Sequence, residues 1–309
     1  MRRGRLAGLV AVLLAVLSCV TVKVDLFEEP KPLKEKVVTG RGRDKILLLE
    51  ISGFLSDAPR RGLRSLWAGT DAARVKEELD KAARDPLIKA VVLRINSPGG
   101  MVSAADLMHH EILNFRKERQ VPVVASLMGV AASGGYYVAQ AAEVIVAQPS
   151  GLTGSIGVVA LKPNLRGLME KTGVEAEVVK SGRFKDFWSP FRPASPEEKR
   201  LMQAIIDDFS GRFVEVVATG RRLPPARVRA LADGRIFPAS QAKDLGLVDE
   251  LGYLEDALAR AREKAGLTEA RVVVYHRPGS YRPTIYSLAP DLTDWGPQFF
   301  YLWLGEEMS

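Results

Sequence analysis

From Lys45 onward, short apolar runs alternate with amphipathic stretches, and the alternation predicts an α/β chain. Ile46-Leu47-Leu48-Leu49-Glu50-Ile51 and Ala90-Val91-Val92-Leu93-Arg94-Ile95 are almost unbroken apolar runs. That is the pattern of strands buried on both faces rather than half-exposed ones. Val121–Leu127 and Val144–Ala147 repeat it. Between these runs the period changes to that of helices. One spans Thr70–Arg84, with Thr70 as N-cap and Asp71 in its first turn, and another runs from about Ser103 to Lys117. Asn96-Ser97-Pro98-Gly99-Gly100 reads as a sharp turn between the second strand and its helix. A further helix opens at Ser133. Strands alternating with helices imply βαβ units and a mainly parallel sheet.

The second half is less regular. Asn164–Lys171 reads as a short helix stopped by Gly173, and Glu177-Val178-Val179 as a short strand. A long amphipathic helix follows Ser195 through Leu201, Ile205 and Phe209 to about Thr219. Ser195 with Glu198 three residues on makes a capping box at its start. Helices are also expected near Pro225–Ala232 and over Leu254–Lys264. No internal repeat is present. From Val272 a strand-like run gives way to proline-rich turns and an aromatic cluster, Phe299-Phe300-Tyr301-Leu302-Trp303, expected to pack on the domain or on a neighbouring subunit.

The N-terminus has a pattern of its own. Arg2, Arg3 and Arg5 precede an uncharged apolar stretch, Leu6–Val22, the layout of a secretory signal or membrane anchor. Val16-Leu17-Ser18-Cys19 is similar to a bacterial lipobox, which marks Cys19 as a lipidation site. Either form of anchor leaves the arginines in the cytoplasm and the remainder on the periplasmic side. The expected organisation is an anchor over 1–22, a linker over 23–43, a catalytic domain over 44–268 and a C-terminal extension over 269–309.

Composition narrows the chemistry. The 309 residues are 47% hydrophobic and 26% charged, ordinary for a globular protein with an ample core. A net charge of +7 is spread along the chain without a basic run carrying interleaved aromatics, so nucleic acid is not an expected partner. Cys19 is the single cysteine, which excludes an intrachain disulfide and a four-cysteine zinc site. His109, His110 and His276 are the only histidines, and the two adjacent ones diverge on a helix. No metal and no cofactor are expected.

Ser133 is the strongest chemical candidate. It sits in Gly129-Val130-Ala131-Ala132-Ser133-Gly134-Gly135-Tyr136-Tyr137, where small neighbours leave it uncrowded and glycines leave amide N–H groups free to face a ligand. That suits a nucleophile whose oxyanion is held by backbone amides, and it equally suits a small-residue helix start packed on a neighbour. A nucleophilic serine needs a base. With no histidine between His110 and His276, a lysine is the alternative, working only when neutral through desolvation or a nearby cation. Lys162, Lys180 and Lys185 are the lysines to weigh. Phe184, Phe187 and Trp188 offer Lys185 an apolar wall, with Asp186 expected to turn away. Gly151-Leu152-Thr153-Gly154-Ser155-Ile156-Gly157 adds a tight loop with two hydroxyls.

Taken in order, five of these pieces make a specific pattern. They are Asn96–Gly100, Ala132–Tyr137, Thr153–Gly157, Lys180-Ser181-Gly182 with Lys185-Asp186, and Gly234-Arg235-Ile236-Phe237 leading to Gly246-Leu247-Val248-Asp249. Over about 45–265 the chain resembles the signal peptide peptidase A family of Ser–Lys serine proteases, in its short form. The resemblance implies a ClpP/crotonase-like α/β superfold. It makes Ser133 the nucleophile, Lys185 the general base, Ser155 the residue that orients the lysine, and the N–H groups of Gly100 and Gly134 the oxyanion hole. It also implies a homo-oligomer in which serine and lysine come from neighbouring protomers, and apolar, signal-peptide-like substrates at the membrane. The alternatives are a crotonase-like acyl-CoA enzyme, disfavoured by export, and a non-catalytic assembly scaffold.

Overall fold

The computed structural model describes residues 32–57 and 69–277, and the backbone of 299–302. The expected anchor with Cys19 lies outside these residues, as does Trp303. Among the described residues no helix is long and apolar enough to cross a membrane.

The first half alternates as its periodicity requires: β1 (Lys34–Gly40), β2 (Lys45–Leu55), α1 (Ala72–Ala83), β3 (Ile88–Met101), α2 (Val102–Arg119), β4 (Val123–Ala132), α3 (Gly134–Ala139) and β5 (Val144–Ala147). Then follow β6 (Leu152–Gly154), β7 (Val159–Ala160), α4 (Arg166–Thr172), α5 (Pro196–Arg221), α6 (Pro225–Arg229), β8 (Ile236–Pro238), α7 (Ala239–Asp244), β9 (Glu250–Leu251), α8 (Leu254–Lys264), β10 (Arg271–His276) and β11 (Phe299–Leu302). The main path of the sheet is β1-β10-β2-β3-β4-β5-β9. Every pairing along it is parallel except β1 with β10 at the edge. The chain is α/β, as the pattern predicts.

The central strands are apolar throughout because both faces are covered. Leu47, Leu49 and Ile51 of β2 and Leu93 and Ile95 of β3 join Leu79 of α1 and Met108 and Ile112 of α2 in one core. The intervening Ile46, Leu48, Ala90 and Val92 face the other side and pack on Leu254, Ala257 and Ala261 of α8. Full burial of each large aliphatic side chain stabilises the fold by about 1.5–3 kcal/mol. The one polar residue in each run answers the other: Glu50 and Arg94 are register partners, and Arg94 Nη2 donates to Glu50 Oε2 at 2.5 Å.

The sheet divides at the C-terminal ends of β3 and β4, and this division makes the site. Up to Leu127, β4 pairs with β5; beyond it, Val130–Ala132 pairs with β6, which pairs in turn with β8. The end of β3, Gly99–Met101, keeps β2 on one side and takes the antiparallel β11 on the other. Open parallel sheets bind ligands at this end of their strands.

Several expectations change. Asn96–Gly100 is not a turn: β3 continues through it to Met101, absorbing Pro98 where the ladder with β2 breaks register and beyond the last β4 pair at Ser97. Thr70 does not cap α1. Its hydroxyl bridges the backbone of Ser52, and the Asp71 carboxylate caps the helix by accepting from Arg74 N–H. Residues 34–40, expected as linker, form β1 against β10. Glu177–Val179 forms no strand; Val178 and Val179 are 50% and 94% exposed. The capping box at Ser195 and Glu198 and the αL stop at Gly173 are present as read.

Candidate active site

Ser133 stands at the corner where β4 turns into α3, at φ 53° and ψ −120°. A residue with a Cβ reaches this conformation only under strain, typically about 1–3 kcal/mol. The corner is held from both sides. Ser133 N–H donates to Gly154 O at 2.8 Å, and Ser133 O accepts from Tyr137 N–H at 2.8 Å. Tyr136 and Tyr137 anchor α3 beneath it, donating from their hydroxyls to Leu247 O at 2.7 Å and Asp106 Oδ1 at 2.6 Å. Burial holds the Tyr136 phenol above its ordinary pKa, so it stays protonated and keeps donating.

Ser155 lies beside Ser133. Ala132 and Gly154 are partners in the β4–β6 ladder, so the next residue on each strand is a serine. Ser155 also has a positive φ, 50°, and its N–H donates to Arg235 O at 2.8 Å. The two serines are 1% and 5% exposed, and neither side-chain hydroxyl has a hydrogen-bond partner among the described residues. An unpaired hydroxyl in such a place is available to a substrate or a base.

Both candidate amides are set by close packing. A Cβ on Gly100 would fall 2.2 Å from Leu55 O, so only glycine lets β3 lie this close to β2. Gly134 is the first residue of α3, where an N–H has no acceptor within its helix. A Cβ on the next residue, Gly135, would sit 2.8 Å from Ser97 O, which locks α3 onto the end of β3.

The candidate lysines separate. Lys162 Nζ donates to Arg192 O at 2.8 Å and lies 5.4 Å from the Trp188 ring centroid; burial, then the Arg192 charge, lowers its pKa. Lys180 Nζ donates to Asp186 Oδ1 at 2.6 Å. Lys185 is exposed on a turn, and its side chain makes no hydrogen bond to Ser133 or Ser155 within the chain. Asp186, expected to turn away from Lys185, is engaged by Lys180 and Arg192 and forms no ion pair with Lys185. The histidines are engaged elsewhere: His109 meets the Tyr137 ring edge at 5.3 Å, with its pKa lowered to about 4 by burial, His110 pairs with Asn114 Nδ2, and His276 Nδ1 lies against Arg277 O. Among the described residues no group of acidic, histidine or cysteine side chains is placed to hold a metal.

The segment Phe299–Leu302, expected to pack on the domain or a neighbouring subunit, joins the domain's sheet as the strand β11. Its backbone runs antiparallel to β3, with Tyr301 opposite Gly100, and its other edge pairs with Val159 and Ala160 of β7. An extended segment of the chain's own tail therefore lies on the strand that carries Gly100.

Comparison with known proteins gives this geometry its context. Residues 115–268 match the model of peptidase family S49. A putative signal peptide peptidase SppA of Enterococcus faecium is 36% identical over 242 residues, covering 78% of this chain and 70% of its own length. A putative protease of Synechocystis is 39% identical over 231 residues, covering 74% and 78%. The chloroplastic serine protease SPPA of Arabidopsis thaliana is 34% identical over 250 residues, 80% of this chain and 36% of that one. Among solved structures, a ClpP1 mutant from Listeria monocytogenes aligns at 19% identity and a TM-score of 0.43, covering 68% and 94%. The class is that of serine proteases, in place of the acyl-CoA enzyme or inert scaffold. The chain belongs to peptidase family S49, whose members here include signal peptide peptidases.

Proposed function

We propose that this protein is a membrane-anchored Ser–Lys endopeptidase acting on apolar, signal-peptide-like chains on the periplasmic side. The observation that carries the reading is Ser133: a buried serine whose hydroxyl has no partner among the described residues, held at φ 53° on a strand-to-helix corner beside Ser155 and the glycine amides. In the proposed reaction, neutral Lys185 Nζ takes the Ser133 Oγ proton as Oγ bonds to the peptide carbonyl carbon. The N–H groups of Gly100 and Gly134 donate to the oxyanion. Its collapse breaks the C–N bond, and Lys185 returns the proton to the leaving amine. Water then hydrolyses the ester with Lys185 as base. Ser155 Oγ accepts from the lysine and aims it.

Lys185 is exposed and makes no hydrogen bond to Ser133 within one chain, and that supports a catalytic centre completed by a neighbouring protomer. Beside Lys185, Phe184, Phe187, Leu201 and Ile205 line an open apolar recess of about 770 Å³, a surface suited to a second copy. Peptide substrates suit the edge of β3, where β11 already lies as an added strand. The anchor belongs to the N-terminal segment, with Cys19 as its lipidation site.

The test is hydrolysis of an apolar peptide by the full chain in detergent, with intact mass after a serine-reactive probe. Ser133→Ala and Lys185→Ala are each expected to abolish turnover, and mixing the two variants to restore part of it through hybrid assemblies. Full activity in either single variant would sink the dyad. Loss of detergent-phase partitioning in Cys19→Ser checks the lipid anchor.

A further inference from the structure

Residues 173–195, between α4 and α5, form no helix or strand, yet they carry Lys185. Short turn bonds hold it locally, Lys185 N–H to Gly182 O and Phe187 N–H to Phe184 O, each at 3.0 Å, and a segment outside any ladder or helix needs a further means of holding a side chain in one place. Here the means is a cluster of charges centred on Arg192. Its Nε donates to Asp186 Oδ2 at 2.8 Å, and Nη2 reaches Asp186 O at 3.2 Å. The same guanidinium donates to both Glu198 oxygens, from Nη1 at 2.8 Å and Nη2 at 2.6 Å. Lys180 Nζ takes the remaining Asp186 oxygen. Glu198 is fixed in turn: its side chain is 3% exposed, and it accepts from Ser195 N–H at 2.8 Å in the capping box of α5. One planar fork thus ties the residue following Lys185 to the first turn of a 26-residue helix. The Asp186 carboxylate is fully engaged by these cations, and no ion pair joins it to Lys185.

We propose that Arg192 is a positioning residue for catalysis, pinning the Lys185 turn to α5 and keeping the Asp186 carboxylate from pairing with Lys185. This rests on the reading of Lys185 as general base. The charge environment agrees. Arg192, then Lys180, holds the Asp186 carboxyl well below the ordinary carboxylate range. Arg192, then the Ser195 N–H, lowers that of Glu198 to about 2. The other charged side chains of this segment are Glu175 and Glu177, both exposed, and Arg183, paired with Glu197; Lys162 reaches it from outside, bonded to Arg192 O. A carboxylate released from Arg192 next to Lys185 would stabilise the ammonium form, which is inactive as a base.

The experiment measures kcat and KM for an apolar peptide with the full chain in detergent, across about pH 6–10, where a lysine base titrates. Arg192→Gln is expected to lower kcat by roughly 10- to 100-fold, with KM held within about twofold, since misplacement of a base acts on the chemical step. The limb along which kcat rises with pH moves to higher pH. Arg192→Lys, which keeps the charge but not the fork, recovers part of kcat. Asp186→Asn breaks the same clasp without freeing a carboxylate, so kcat falls while the limb stays in place. The proposal is overturned if Arg192→Gln or Asp186→Asn keeps wild-type kcat. It is also overturned if kcat falls in Arg192→Gln with the limb unmoved and Arg192→Lys no better, the signature of a merely structural role. Should Arg192→Gln not fold, Arg192→Lys and Asp186→Asn carry the same decision. Lys185→Ala run alongside separates the two ideas. If it is fully active, the base assignment fails; if it is inactive while Arg192→Gln is normal, only the positioning role fails.

Discussion

Replacing Ser133 by glycine should make the protein more stable than replacing it by alanine, even though both remove the hydroxyl. Ser133 sits at φ 53°, ψ −120°, a region where any side chain with a Cβ pays a conformational penalty of about 1–3 kcal/mol. Alanine retains the Cβ and therefore the strain. Glycine relieves it, against a loss of about 0.5–1 kcal/mol for the greater freedom of glycine in the unfolded chain. The corner is otherwise unchanged, because the bonds from Ser133 N–H to Gly154 O and from Tyr137 N–H to Ser133 O are both backbone. The net expectation is that Ser133→Gly exceeds Ser133→Ala by about 1 kcal/mol, or some 2–4 °C in Tm for a domain of this size. Urea unfolding of the two variants side by side, followed by far-UV circular dichroism, gives the difference directly, with neither expected to hydrolyse peptide. Equal stabilities, or a less stable glycine variant, would show that the corner is unstrained and that the backbone argument for Ser133 is mistaken.

Two other expectations are open to simple measurement. Ending the chain at Gln298 removes β11 and uncovers the Gly99–Met101 edge of β3, so kcat/KM for an extended peptide should rise; an unchanged value would mean that the tail does not compete with substrate. His109, lowered to about pH 4 chiefly by burial, is neutral in the native state but titrates near pH 6.5 once unfolded. Its neutral form therefore supports folding above about pH 6.5, and that support is lost as pH falls towards 4. The loss of stability between pH 7 and 4.5, read by urea unfolding, should be smaller in His109→Gln than in the wild type. An identical loss in both would refute the burial of that imidazole.

The apolar runs of β2, β3, β4 and β5 were legible because a strand buried on both faces has no polar alternation to confuse with a loop. The same logic misled at Asn96–Gly100. Proline and two glycines ordinarily break a strand, but β3 survives them because β4 has already left its side and β2 needs a residue without a Cβ at Gly100. Glu177–Val179 failed for the opposite reason: β-branched residues favour a strand only where a neighbouring edge accepts their backbone bonds. Around the site, Ser133 and its glycines stood out locally. Nothing local announced that β11 would return to Gly100 from about 200 residues downstream.

By itself the sequence determined which segments are buried, that Ser133 is flanked by small residues, and that no histidine lies between residues 110 and 276 to serve it. These are properties of composition and short-range period, carried by neighbours within a few residues. Tertiary structure decided the rest. It set the φ of Ser133 through bonds to Gly154 and Tyr137, and placed Ser155 next to it through the β4–β6 register. It also left Lys185 on an exposed turn without a hydrogen bond to the serine, next to an Asp186 that Arg192 engages. The first two depend on which distant backbone pairs with which, and the third on side-chain bonds of Arg192. A one-residue change of register would move the first two while leaving the local pattern intact.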